Sequence, residues 1–170
     1  SQGHETYSTK KRIEKWIDTG LADMVKDLFN RLHGLRKCSP EATREVAKKI
    51  LHRCTQTWGM SPTHRMMFTL YPSLSKACQE AYDYSQAAMS IQALIGCWQK
   101  VIPGGYWPPL SFLHRTLAMV LREQGNEAER RINSSMVVDD FRSRNEVALF
   151  RRLALDAETK ARENDDICFG

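Results

Sequence analysis

The chain has 170 residues, 42% of them hydrophobic and 26% charged, with a net charge of +5. That length suits one domain able to bury roughly 70% of its unfolded surface without disulfides or metal. No apolar run approaches the roughly 18 residues needed to cross a membrane, and the polar start has no apolar signal-peptide core. The charge is uneven. Residues 1–76 hold fourteen Lys/Arg against seven Asp/Glu, residues 77–121 two against two, and residues 122–170 nine against eleven. A basic N-terminal part can steer an acidic protein or a nucleic acid, and an excess of this size is also common on proteins that bind neither.

Residues 1–8 are expected to be a disordered leader, 9–163 one α-helical domain, and 164–170 a frayed tail. The first apolar stripes fall on Lys10–Thr19 (Ile13, Trp16, Ile17) and Leu21–Lys37 (Met24, Val25, Leu28, Phe29, Leu32). Their 3-and-4 spacing is that of a helix with one buried face. Ser39-Pro40 then starts Glu41–Trp58, which carries Val46, Ala47, Ile50, Leu51 and Cys54. A capping hydroxyl before proline suits a helix start, where the missing N–H costs nothing. Ser61-Pro62 repeats the signal before a short helix Pro62–Leu70, and Pro72 is expected to end or kink it. Ser73–Tyr82 follows. Gln86–Val101, with Ser85 as expected cap, is apolar on most sides and so is expected at the centre.

Ile102 to Pro109 is the clear loop, containing Gly104-Gly105-Tyr106-Trp107. Leu110–Gln124, Asn126–Val138 and Asn145–Arg162 complete the set. Gly20, Gly34, Gly59 and Gly125 stand where periodicity stops, as helix-ending glycines do. The last helix should dock through Val147, Phe150, Leu153 and Leu155, and Arg152–Asp156 and Asp156–Lys160 have the i, i+4 spacing of ion pairs. No window alternates as a strand. The reading is all-α, with seven to nine helices stacked as antiparallel hairpins in either a solenoid-like array or a compact bundle.

One segment resembles a known repeat. In Ile13 to Phe29, Gly20 joins two helical stripes, Val25 lies five positions on, and Leu28-Phe29 lie eight and nine positions on. This is similar to the helical hairpin of tetratricopeptide and pentatricopeptide repeats. A looser echo starts at Gly59, with His64 at the small position followed by Met67 and Phe68. A third spans Leu117 to Ile132 around Gly125 and Ala128. The resemblance implies stacked hairpins and a surface for binding another chain.

Common catalytic and metal signatures are missing: no HExxH, CxxC, GxSxG or GxxxxGK occurs. None of the five histidines has a second histidine or a cysteine one helical turn away, so no metal or other cofactor is expected. Asp139-Asp140 and Asp165-Asp166 read as caps and solvated carboxylates. The five cysteines are odd in number and irregularly spaced, and read as reduced thiols of a cytoplasmic or nuclear protein.

The leading expectation is a non-enzymatic protein-interaction module, adaptor or scaffold, with Tyr106 and Trp107 as partner-binding anchors at its rim. The same aromatics could instead tuck onto the domain's own core. The alternative is RNA or single-stranded nucleic-acid binding through Lys37, Arg44, Lys48, Lys49 and Arg53, with His52 beside them. An enzyme with dispersed residues, and self-association through an apolar face, stay open. Met60, Met66 and Met67 suit either an adaptable groove or the core.

Overall fold

The computed structural model describes residues 30, 39–57, 59–61, 63–102, 104, 107–134 and 141–169. Among these residues all regular structure is helical. Five α-helices are present: α1 (Pro40–His52), α2 (Met67–Glu80), α3 (Tyr84–Val101), α4 (Pro108–Ser134) and α5 (Phe141–Phe169). The two helices expected over 10–37, apart from Asn30, and the leader before them lie outside the described residues. The other difference from the expected count comes from two mergers.

α1 begins as its sequence dictates. Ser39 Oγ accepts the Ala42 N–H at 3.3 Å, with Pro40 in the first turn. The helix widens to a π-type segment over Arg53–Thr57, and the chain reverses at Gly59 (φ 57°), where the Met60 N–H donates to Cys54 O at 2.9 Å. That left-handed turn is why glycine stands there. Ser61 Oγ accepts the Thr63 N–H, but it caps a turn rather than a helix, and α2 starts only at Met67.

The first merger is at Pro72, which lies inside α2 instead of ending it. Pro72 is the sixth residue of the helix and exposed, so its ring faces solvent and its missing N–H removes one early helical bond. The second is at Gly125, which lies in the middle of α4. A Cβ there would stand 3.4 Å from Phe150 Cβ of α5, so this glycine marks a close helix crossing and not an end. The cap of α3 is Asp83, which accepts the Gln86 N–H at 3.2 Å, and not Ser85.

Each helix packs mainly on its neighbours in sequence. The directions alternate. Across α4 and α5, Arg115 pairs with Asp165, Arg122 with Glu158, and Arg151 with Glu129 at 2.9 Å, so one index rises as the other falls. The α5 stripe that meets α4 is Val147, Phe150, Ala154, Ala157, Ala161 and Asn164, a run spaced by threes and fours. Leu155 therefore points outward, against expectation, and Leu153 sits at the edge. Small residues on both helices (Ala118, Gly125 and Ala128 on α4) let the axes approach closely. Asp156 forms neither of the expected intrahelical pairs; the α5 ion pairs run across to α4 instead.

α5 continues to Phe169, past the expected boundary at 163, because its last turns are tied down. Asn164, 4% exposed, accepts the Trp107 N–H at 3.1 Å and donates Nδ2 to Trp107 O at 2.9 Å and to Ser111 Oγ at 2.6 Å. The core runs through all five helices, from Ile50 and Cys54 through Leu70, Leu74, Ile91 and Val120 to Ala157. Met60 and Met67 are buried in it, which gives the methionine cluster a packing role. No described helix is long and apolar enough to cross a membrane.

Candidate functional site

The aromatic loop folds inward at the one residue of the pair that the structure describes. The Trp107 ring lies 4.4 Å from Trp98, which in turn lies 4.4 Å from Phe68. With its backbone clamped by Asn164 on both faces, Trp107 is a half-buried tie between α2, α3 and α5. Tyr106 lies outside the described residues.

The basic set divides in the same way. Arg44 Nη1 and Lys48 Nζ stand 3.6 and 3.5 Å from Asp83 Oδ2, so the carboxylate that caps α3 also neutralises the inner face of α1. Arg44 Nε is buried 3.4 Å from the Glu45 carboxylate without hydrogen-bond geometry. Lys49 and His52 on α1 and Arg53 at the start of the π-type segment remain exposed, with Lys49 and Arg53 about one turn apart. Lys37 lies outside the described residues.

A concave feature lies elsewhere, where α3 and α5 flank α4. It is a groove of about 250 Å³. One wall is α3, through Gln92, Ile95, Gly96 and Gln99; the other is α5, through Leu153, Asp156, Ala157 and Lys160. Its floor is α4, through His114, Leu117 and Leu121. On every helix these positions recur at threes and fours over two turns, so the groove runs along the helix axes for about 10 Å. Its bottom is aliphatic apart from the His114 imidazole, and its rim carries two amides, one anion and one cation. A hypothetical Cβ on Gly96 would meet nothing within 4 Å, so the α3 wall is open at that point.

His114 is 7% exposed, and its Nδ1 has no hydrogen-bond partner. Burial lowers its pKa, and the positive charge of Lys160 lowers it further, so the imidazole is neutral in the folded protein at neutral pH. Asp156 and Lys160 form no ion pair with any described residue.

Two of the described thiols are unsuited to nucleophilic work. Cys54 and Cys78 are buried and free, and burial pushes both up to about 11, which leaves almost no thiolate at neutral pH. Among the described residues no three His, Cys, Asp or Glu side chains converge to hold a metal. Asp165 is engaged by Arg115, while Asp139 and Asp140 lie outside the described residues.

Sequence reading missed the groove because its walls come from residues that look unremarkable one at a time. A glycine inside a long apolar helix was the one available signal. Comparison with protein-family models, with curated proteins and with solved structures found no match.

Proposed function

We propose that the chain is a non-enzymatic helical interaction module that receives another polypeptide in the α3–α4–α5 groove. The observation that carries this reading is the groove itself: two helices running side by side over a third, with a mostly aliphatic bottom and a polar rim whose two charges have no ion-pair partner among the described residues. At about 250 Å³ it falls below the roughly 300–1,000 Å³ usual for a small-molecule site. An apolar cavity of about 150 Å³ takes a benzene ring, so this groove suits one or two side chains of a larger partner. Aliphatic contact at the centre with polar groups at the rim is the anatomy of a protein interface.

Nucleic-acid binding through α1 has less support. Arg44 and Lys48 share Asp83, which leaves Lys49 and Arg53 as a small exposed cationic pair. Binding that neutralises several phosphates needs a larger set.

The test is capture of partners from cell extract, with and without nuclease treatment, by the native chain and two variants. Leu153→Glu should abolish recovery of bound protein. Lys49→Glu with Arg53→Glu should leave it unchanged. Recovery of nucleic acid that is lost with the α1 variant and kept with Leu153→Glu would refute the proposal.

A further inference from the structure

We propose that the occupant of the groove is an amphipathic helix of a partner protein, lying antiparallel to α3 and α5 and carrying Glu and, four residues later, Lys beside its apolar stripe. The inference rests on the interaction reading above and adds the chemistry of the partner.

The shape comes first. The groove is straight, two turns long and parallel to the helices that form it. Its lining repeats every three or four residues on all three helices, the pattern a fourth helix presents in return. Gly96 and Ala157, on opposite walls, are small residues at the level where a helix ridge would enter, and the space above Gly96 is open.

Charge supplies the orientation. Asp156 and Lys160 lie one turn apart on α5, both face the groove, and neither is paired with a described residue. α3 contributes only the uncharged Gln92 and Gln99 to the rim, so these two charges set its polarity. A helix antiparallel to α5 meets Lys160 first and Asp156 one turn later. Its complement is therefore Glu followed at i+4 by Lys. That order also stabilises the partner helix itself, whereas the reverse order does so less.

The experiment uses the full chain and two fluorescein-labelled, amidated 18-residue peptides of identical composition. Both carry a leucine stripe at helical spacing. One has Glu then Lys at i, i+4 beside the stripe, and the other has Lys then Glu. Fluorescence polarisation should show the Glu-first peptide binding at least fivefold more tightly. The double reversal Asp156→Lys with Lys160→Asp should invert the preference, which separates recognition from the peptides' own helicity. Gly96→Leu, whose Cβ would meet nothing within 4 Å and whose side chain would extend into the groove, should abolish binding of both while the melting temperature stays at or above that of the native chain. Equal affinities, a preference indifferent to the reversal, or no binding of either peptide would overturn the helix proposal. If Gly96→Leu leaves extract capture intact, the groove reading fails with it. If Gly96→Leu abolishes capture while neither peptide binds, the groove stands and its occupant is not this helix.

Discussion

Asn164 is the residue whose loss should reach furthest through the fold. Its side-chain amide imitates a peptide group, accepting from the Trp107 N–H and donating to Trp107 O and Ser111 Oγ. Asn164→Ala removes three bonds in a nearly dry site. Trp107 O keeps the Leu110 N–H at 2.8 Å, but the Trp107 N–H is left without its partner. With about 0.5–1.5 kcal/mol per bond and 1–3 kcal/mol for an orphaned buried donor, the cost should be about 2–4 kcal/mol. A domain of this size loses about 2–4 °C per kcal/mol, so the melting temperature should fall by about 4–16 °C. Trp107 and Trp98 report the site directly by fluorescence during urea unfolding. Asn164→Asp sharpens the test. Ionised, it retains the acceptor and sets a carboxylate against Trp107 O. Protonated, it can donate again. The folded state therefore favours the protonated form, so the variant's deficit relative to the native chain should shrink at acidic pH and grow as pH rises. A loss below about 0.5 kcal/mol for Asn164→Ala would refute the claim that this amide fixes the end of α5 to the loop.

Four further outcomes follow from particular contacts. His114→Leu removes a buried unpartnered nitrogen from an aliphatic floor and should stabilise the fold by about 1 kcal/mol in chemical denaturation. Because the folded pKa of His114 is lowered, the native protein should lose stability as pH falls below about 6.5, where the unfolded chain takes up a proton the folded one resists. His114→Leu should flatten part of that slope, leaving the share of His64, which shifts the same way. Asp83→Ala, which loses a helix cap and the counter-charge of Arg44 and Lys48, should cost about 1–2 kcal/mol by thermal denaturation. Gly125→Leu should cost about 1–3 kcal/mol by crowding Phe150, measured in the same way. With an aromatic disulfide reagent at pH 8, the partly exposed Cys168 should react well before Cys54 and Cys78, which should respond only on unfolding.

Much of the fold was legible in the chain. Helical periodicity gave the class, Ser39-Pro40 gave the start of α1, and Gly59 gave the reversal after the π-type segment that follows it. The misreadings share one cause: Gly and Pro act locally as breakers, but tertiary context decides whether they break. Gly125 serves a helix crossing that only the arrival of Phe150 explains, and Pro72 sits where its ring faces water. The stripe of α5 was misplaced for a related reason, since counting large apolar residues overlooks alanines that pack closely. Of the candidate site residues, Arg44 and Lys48 look free in sequence, and only folding brings Asp83 to them. Trp107 was readable as an aromatic anchor, but its role as an internal tie depends on Asn164, 57 positions away. The third segment resembling a hairpin repeat, around Gly125, lies within the single helix α4, and the first lies outside the described residues.

The central claim is that a polypeptide occupies the space between α3 and α5. A photo-crosslinking residue at Gln99, on the groove wall, tests it against the same residue at Lys49, on the exposed face of α1. After irradiation in extract, position 99 should yield discrete covalent adducts with protein that vanish when Gly96→Leu is added, and position 49 should yield none of them. Adducts at position 49 alone, or adducts at position 99 that survive Gly96→Leu, would contradict the account.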